Sequence, residues 1–118
     1  MNAGADMMIV EGETRGRVVS LRVRGRLDAD TAPLLLQRCG EVQARGQNLV
    51  LNLSEVTFLG STGVGALLAL VEQFQEQAGT VHFAALSTEA QTVIDLLDLD
   101  SYLSIHASEA QAFTAMAA

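Results

Sequence analysis

The sequence predicts an α/β fold in which one domain, residues 1–118, contains a mixed, mostly parallel sheet of about five strands with about four helices. Two observations support this prediction. Short apolar runs typical of strands alternate with segments whose apolar residues recur every three or four positions, as in amphipathic helices. The chain of 118 residues is also long enough to support a hydrophobic core without disulfides, and its apolar content of 49% rules out a disordered tail. Strands that alternate with helices are joined by crossovers and therefore run largely parallel.

The first part of the chain predicts a β-hairpin. An apolar run over 7–10 is followed by a polar turn over 13–15, bracketed by Gly12 and Gly16, and then by a strand over 17–24. This second strand alternates apolar Val19, Leu21 and Val23 with polar Ser20, Arg22 and Arg24. The alternation predicts one buried and one solvated face. The two arginines on the solvated face either protect it from stray pairing or meet acidic groups of a partner.

The next segment predicts a helix capped by Asp30 or Thr31 that runs to about Arg45. Pro33 lies in its first turn, where a missing N–H group does no harm, and the glycine after Arg45 ends it. The inward face consists of Ala32, Leu35, Leu36, Cys39 and Val42. Cys39 is the only cysteine, so an internal disulfide is excluded and a buried apolar role is predicted.

The centre of the chain predicts a buried strand, a tight turn and a helix. The strand contains Leu49, Val50, Leu51 and Leu53, an apolar run typical of a strand covered on both faces. One face of the helix is formed by Val64, Leu67, Leu68, Val71 and Phe74. Between them the small residues 60–63 allow a sharp turn, and Ser61 or Thr62 is predicted to cap the first helical turn.

The last third of the chain predicts two more strands, each followed by a short helix. Gly79 ends the central helix, and a strand follows over 80–86. The remaining signals are the helix caps Ser87 or Thr88, a strand over 102–105, and Ser108 at the start of the terminal helix. No internal repeat or linker interrupts this alternation.

The charge of the chain excludes some partners. The formal net charge is −7, which argues against direct nucleic-acid binding. All basic residues are arginines at or before Arg45, whereas from Gly46 onward there are only acidic charges. This acidic half is either a solvated surface or steers the protein towards a basic partner. No signal peptide is visible and no apolar stretch reaches the length of about 20 residues that a membrane span needs, so a cytoplasmic location is expected.

Two interpretations are open for the hydroxyls of Ser61 and Thr62. Serine and threonine commonly cap helices that have a purely structural role. A phosphate on a hydroxyl at a helix start would also be favoured, because unpaired N–H groups and the positive end of the helix dipole lie there.

Other chemistry finds little support in the sequence. A serine hydrolase would need a base beside Ser61, but the two histidines, His82 and His106, are predicted in or near other strands. Leu59 also replaces the first glycine of the Gly-x-Ser-x-Gly motif, and the turn has no P-loop lysine. Two histidines and one cysteine without ligand spacing predict no metal site, and no cofactor is expected.

Two motifs resemble a known family. Residues 52–65, with the sequence NLSEVTFLGSTGVG, resemble the signature of the bacterial anti-sigma factor antagonists, which are single-domain members of the STAS family. Residues 25–32, with the sequence GRLDADTA, resemble a second motif of that family. The motifs occur in the order of the family, and the order of strands and helices agrees over nearly the whole chain. The resemblance implies a single STAS-like domain over residues 1–118.

The resemblance also implies an interaction protein rather than an enzyme. Its unphosphorylated form would bind an anti-sigma factor with serine kinase activity and release a sigma factor, and a phosphatase is a further expected partner. Phosphorylation at Ser61, with Thr62 as the second choice, would switch binding off. The implied contact surface contains Arg26, Asp28, Gly60, Ser61, Thr62 and Gly63. The protein is expected to be a monomer or a weak dimer.

One departure from the family pattern bears on this function. Gly60 stands where the family usually has an acidic residue before the phosphorylated serine. The chain therefore also fits a STAS interaction subunit of a transport or signalling complex that is never phosphorylated. A third alternative is a STAS module that binds a small nucleotide, since a glycine-bearing strand-to-helix turn can hold phosphate.

Overall fold

The computed structural model describes residues 7–117 and confirms the predicted α/β class. The elements are β1 Met7–Arg15, β2 Val18–Leu27, α1 Ala32–Ala44, β3 Asn48–Leu59, α2 Ser61–Glu76, β4 Val81–Ala84, α3 Thr88–Leu96, β5 Ile105–His106 and α4 Glu109–Met116. The strands form one sheet in the order β1-β2-β3-β4-β5. β1 and β2 are antiparallel, and the other neighbouring pairs are parallel and joined by helices. The sheet is therefore mixed and mostly parallel, as predicted.

The hairpin turn lies at Gly16 and Arg17, and the prediction of a turn over 13–15 is wrong. β1 continues through that stretch. Gly16 has a φ of +59°, a left-handed conformation that glycine adopts without strain. The polar residues suggested a turn because they lie exposed on an edge strand, where a register shift between Glu11 and Thr14 also interrupts the pairing.

Helices α1, α2 and α3 pack on one face of the sheet and form the main core. Its largest side chains include Leu21, Leu51 and Phe83 from the strands and Leu35, Leu67 and Ile94 from the helices. Each is almost fully buried, and burial of such a side chain contributes roughly 1.5–3 kcal/mol. Cys39 lies in this core, as predicted, and burial raises the pKa of its thiol to about 12. The thiol is therefore protonated and unreactive at neutral pH.

Helix α4 packs on the opposite face of the sheet, against residues of β2, β3 and β4. Its residues Ala112 and Phe113 pack against Val18, Val50 and Ala84. The first half of β3 is thus covered on both faces, as predicted. Ser20, which the alternation placed on a solvated face, is buried instead. Its Oγ accepts a hydrogen bond from the N–H of Glu13 at 2.9 Å, which satisfies the buried hydroxyl.

Glu109, in the first turn of α4, ties this helix to β2 and β3. Arg22 donates from Nε to Oε2 at 2.8 Å and from Nη2 to Oε1 at 3.0 Å. Asn52 donates from Nδ2 to Oε2 at 2.6 Å. The hydrogen bond from Arg22 is the main cause that lowers the pKa of Glu109, and the bond from Asn52 adds to it. Arg22 therefore meets an acidic group of its own chain.

Replacing Glu109 by glutamine is expected to lower the free energy of unfolding by about 1 kcal/mol at neutral pH. The amide carries no charge, and it has one acceptor oxygen in place of the two that Arg22 and Asn52 use. In the folded protein the pKa of Glu109 lies below the ordinary value of 4.5. The stabilisation is therefore complete above that value and is lost as the pH falls through the lowered folded pKa. Urea denaturation of the protein and of Glu109→Gln, repeated at decreasing pH, measures the difference.

Glu55→Gln is the matched control for this prediction. Glu55 also pairs with an arginine of β2, Arg24, but both side chains are more than half exposed. We expect the control to change the free energy of unfolding by less than about 0.5 kcal/mol. A loss in Glu109→Gln that stays the same at acidic pH would contradict the assignment.

The later helix caps agree with the sequence. Ser87 and Ser108 are the N-caps of α3 and α4, and their hydroxyls accept hydrogen bonds from the N–H groups of Ala90 and Gln111. Gly46 follows α1 with a φ of +71°, as expected for a helix stop. Within residues 7–117, no helix combines the length and the apolar character needed to cross a bilayer.

Three other boundaries differ from the prediction, two of them because alanines take conformations expected of glycine. Ala78, not Gly79, has the left-handed φ (+60°) after α2. Ala85 has a φ of +56°, which ends β4 earlier than predicted. The predicted strand start at Tyr102 is a turn, in which the N–H of Tyr102 donates to the C=O of Leu99 at 3.0 Å. β5 is correspondingly short.

Candidate functional site

The turn between β3 and α2 is organised by Gly60. β3 continues to Leu59, further than the apolar run predicted. Gly60 is the N-cap, with an extended backbone, and its C=O accepts the hydrogen bond of the Val64 N–H at 2.9 Å. The prediction that Ser61 or Thr62 caps α2 is therefore wrong. Both residues lie inside the first helical turn, where a side chain is past the capping position.

Ser61 and Thr62 are both exposed at the start of α2. No side chain caps this helix, and its first turn contains no acidic residue. The positive end of the helix dipole therefore has no neutralising carboxylate in that turn. An anion on Ser61 would be stabilised there and would require no change of fold.

Gly63 lets α2 approach the end of β2 closely. A Cβ at this position would lie 2.5 Å from the carbonyl oxygen of Leu27 and 2.9 Å from both Leu27 Cγ and Leu59 Cδ1. The N–H of Gly60 donates to the same carbonyl at 3.0 Å. Gly63 is buried, so its role is packing. Its inclusion in the predicted contact surface stays a prediction.

Arg26 and Asp28 lie at the same end of the sheet as Ser61. The reason is the parallel pairing of β2 with β3, which places Arg26 opposite Phe58 and Leu27 opposite Leu59. Both strands therefore end together, and the loop that carries Asp28 lies beside the turn that carries Ser61. The resemblance implied this proximity, and the strand register explains it.

The carboxylate of Asp28 is held by its own loop. It accepts hydrogen bonds from the N–H groups of Asp30 at 3.0 Å and Thr31 at 3.2 Å. Desolvation opposes its ionisation, but these hydrogen bonds outweigh it and lower the pKa of Asp28. Thr31 is the N-cap of α1, as predicted, although its hydroxyl donates to the C=O of Arg26 at 2.8 Å instead of capping the helix. Asp28 is thus a fixed negative group.

Phe58 lies beside Arg26, although it is not among the predicted contact residues. It is 40% exposed, and the guanidinium carbon of Arg26 lies 4.2 Å from the centre of its ring. This is a cation–π contact. The sequence signal was the apolar pair Phe58 and Leu59, because a strand that continues to Leu59 places Phe58 beside Arg26 on the neighbouring strand.

The two histidines lie far from Ser61 and contact each other. His82 Nδ1 and His106 Nε2 are 2.9 Å apart, on β4 and β5. His82 is level with Val50 near the start of β3, whereas Ser61 follows the end of that strand. Desolvation, and then the charge of His106, lower the pKa of His82. Neither histidine is placed to act as a base for Ser61, so the geometry does not support a serine hydrolase.

No group of three or more His, Cys, Asp or Glu side chains that could hold a metal ion occurs in the part of the chain that the structure describes, residues 7–117. At the Ser61 end of the sheet, Arg26 and Asp28 pair with each other at 3.3 Å. This arrangement suits contact with another molecule through hydrogen bonds and charge. It contains no pair of groups arranged as nucleophile and base.

The family of the chain is decided by a match to a known domain profile. The profile described as the STAS domain matches residues 10–112. The chain belongs to the STAS domain family. The matched region includes both segments that form the Ser61 site, the loop after β2 and the start of α2.

Several relatives of this STAS domain are named as anti-sigma factor antagonists. The anti-sigma-B factor antagonist of Bacillus subtilis is 23% identical over 107 residues, which cover 91% of this chain and 94% of that protein. The crystal structure of an anti-sigma factor antagonist from Mycobacterium paratuberculosis has a TM-score of 0.82 at 30% identity, covering 97% of this chain and 96% of that one. The unphosphorylated form of the Bacillus protein SpoIIAA shares the fold, with a TM-score of 0.76 at 19% identity over 92% of this chain and 96% of that one.

Proposed function

We propose that this STAS domain is an anti-sigma factor antagonist. Its unphosphorylated form binds an anti-sigma factor with serine kinase activity in the cytoplasm and so releases a sigma factor for transcription. The observation that carries the proposal is the exposed Ser61 at the first position of a helix that no side chain caps. The names of the relatives support the same function.

In the proposed phosphorylation this chain is the substrate and not the enzyme. Ser61 Oγ forms a bond to the γ-phosphorus of ATP, the bond from that phosphorus to the bridging oxygen breaks, and ADP leaves. The proton of the serine passes to a base of the kinase, because the histidines of this chain lie at the other end of β3. A phosphatase restores the hydroxyl by transferring the phosphoryl group to water.

The proposed switch acts through charge. A phosphate on Ser61 adds about −1.5 to −2 charges to the centre of the contact surface. The helix start stabilises these charges without refolding, because its N–H groups already point there. A partner surface that fits a neutral hydroxyl would have to bury these charges without supplying counter-charges of its own, which is costly. Phosphorylation therefore blocks docking while the domain stays folded.

Incubation with the kinase and labelled ATP is expected to label this chain at Ser61. Ser61→Ala should abolish the label, because it removes the acceptor oxygen at the first helical position. Thr62→Ala is the matched control and should keep the label, since the exposed hydroxyl of Ser61 is unchanged. Mass spectrometry of the peptide that contains the turn locates the added phosphate. Label that persists in Ser61→Ala would refute the assignment, and its loss in Thr62→Ala would move the site to Thr62.

Gly60 favours a second candidate function. The ring of Phe58 lies where a side chain at position 60 would go, so the turn presents an aromatic surface instead of a carboxylate. A STAS interaction subunit of a transport or signalling complex that is never phosphorylated would use the same surface. In that case Ser61→Asp leaves partner binding unchanged.

Nucleotide binding by the turn has less support. The glycines of this turn allow close packing and do not form an open cradle for phosphate. The N–H of Gly60 is bonded to Leu27, and Gly63 is buried against the same residue. Calorimetry with ATP and GTP in the absence of a partner tests this alternative, and saturable binding would favour it.

A further inference from the structure

Arg26 and Phe58 form an exposed stacked pair beside Ser61. The guanidinium carbon of Arg26 lies 4.2 Å from the ring centre, and the two residues face each other across the ladder between β2 and β3. The side chain of Arg26 is 47% exposed and Phe58 is 40% exposed. One positive group and one aromatic ring therefore form the outer surface next to the start of α2.

Gly60 brings this pair next to the serine. A Cβ at position 60 would lie 2.9 Å from Cε2 of Phe58 and 3.3 Å from Cζ, so the ring edge rests on Gly60. Ser61 follows Gly60 directly. The guanidinium therefore stacks on a ring that packs against the residue directly before Ser61, and a side chain at position 60 would displace that ring.

The contacts that hold the Arg26 guanidinium are weak and replaceable. Its hydrogen bond from Nε to Oδ2 of Asp28 is 3.3 Å long and exposed. Long, exposed bonds and exposed cation–π contacts contribute little. The Asp28 carboxylate would keep its position without Arg26, because the N–H groups of Asp30 and Thr31 donate hydrogen bonds to it. Arg26 can therefore turn towards a stronger anion at small cost.

We propose that Arg26 senses the phosphorylation of Ser61: its guanidinium leaves the Phe58 ring and binds the phosphate. This inference rests on the proposed function, because it takes Ser61 as the modified residue. A phosphate accepts two parallel hydrogen bonds from a guanidinium, and such charge-assisted bonds are roughly twice as strong as neutral ones. The first turn of α2 contains no carboxylate that would compete for Arg26.

This exchange changes two properties of the contact surface at once. The phosphate adds negative charge, and the guanidinium that a partner would meet over Phe58 is withdrawn. Arginine and aromatic side chains are among the residues that most often dominate binding at protein interfaces. Phosphorylation thus removes a contact anchor in addition to introducing a repulsive charge.

Phosphorus NMR of the domain with phosphoserine incorporated at position 61 tests the proposal without a partner protein. A bound guanidinium favours the doubly charged phosphate, so the second pKa of the phosphoserine should lie below its ordinary value of about 6. Arg26→Gln is expected to raise this pKa by about half a unit.

Arg24→Gln is the matched control for this titration. It removes the same charge from the same strand, but Arg24 pairs with Glu55 rather than lying over Phe58. We expect it to raise the phosphate pKa by no more than about 0.1 unit, because salt screens more distant exposed charges. Equal effects of the two variants would overturn the proposal. A thermal melt of each variant verifies that it is folded.

The ring protons of Phe58 provide a second measurement. In the unphosphorylated domain Arg26→Gln should shift their NMR signals, because the substitution removes the guanidinium that lies over the ring. Phosphorylation of the unaltered chain should shift them in the same direction and to a similar extent. Ring signals that do not respond to phosphorylation would show that the guanidinium stays in place, which contradicts the proposal.

Failure of this inference and failure of the proposed function give different results. If no kinase labels Ser61 but the incorporated phosphoserine still responds to Arg26→Gln, the sensing contact stands and the antagonist function fails. If a kinase labels Ser61 but Arg26→Gln leaves the phosphate pKa unchanged, the function stands and Arg26 has no sensing role.

Discussion

Phosphoserine at position 61 is expected to weaken binding to the anti-sigma factor at least about tenfold, which corresponds to about 1.4 kcal/mol. The reason is that a partner fitted to an exposed hydroxyl supplies no counter-charge of its own for a group of about −2 charge. Titration calorimetry of the unmodified and the phosphorylated domain against the anti-sigma factor measures the ratio. Circular dichroism of the two forms should be the same, because the helix start accommodates the phosphate.

Phosphoserine at position 101 is the matched control for this prediction. Ser101 is exposed in the connection from α3 to β5, which enters the sheet at the end opposite to Ser61. It carries the same charge but lies outside the proposed contact surface, so we expect a change in affinity of less than about twofold. A similar loss of affinity at both positions would show a general effect of charge. Unchanged affinity with phosphoserine at position 61 would favour the second candidate function, a STAS interaction subunit that is never phosphorylated.

Gly63→Ala is expected to lower the free energy of unfolding by about 2 to 3 kcal/mol. The added Cβ would lie 2.5 Å from the carbonyl oxygen of Leu27, a backbone atom that cannot turn aside, and 2.9 Å from side-chain atoms of Leu27 and Leu59. Helix α2 would have to move away from β2 to make room, which opens the core beneath it. Urea denaturation measures the loss.

Gly65→Ala is the matched control in the same helix. A Cβ at position 65 has no neighbouring atom within 4 Å, so nothing opposes the substitution. Because alanine is a better helix former than glycine, we expect Gly65→Ala to raise the free energy of unfolding by about 0.5 to 1 kcal/mol. Two substitutions of the same kind, two residues apart, should therefore have opposite signs. A loss of similar size in both would mean that the contact with Leu27 does not set the cost.

The fold was predictable because its signals are local. Apolar residues at every second position marked strands, and apolar residues at three- and four-residue spacing marked helices. Ser87 and Ser108 are N-caps, as their side chains predicted. The hairpin turn and the end of β3 were misplaced for a common reason. Polar residues on an exposed strand look like a turn when the neighbouring strand is unknown, and the pairing of β1 and β3 with β2 keeps both stretches extended.

The Ser61 site was predictable only in part. Two motifs placed Arg26, Asp28 and Ser61 in one region, and the strand register explains why they meet. The N-cap at Gly60 and the buried position of Gly63 were missed, because each depends on contact with Leu27, which belongs to another strand.

The sequence by itself determined the class of the fold, the alternation of strands and helices, and the family to which the two motifs point. These follow from side-chain chemistry along short stretches of chain. Only the tertiary structure decided which side chains surround Ser61, because the parallel register of β2 and β3 sets the position of Arg26 over Phe58. Contacts between residues far apart in the chain depend on that register and on close packing, and local propensities carry no information about either.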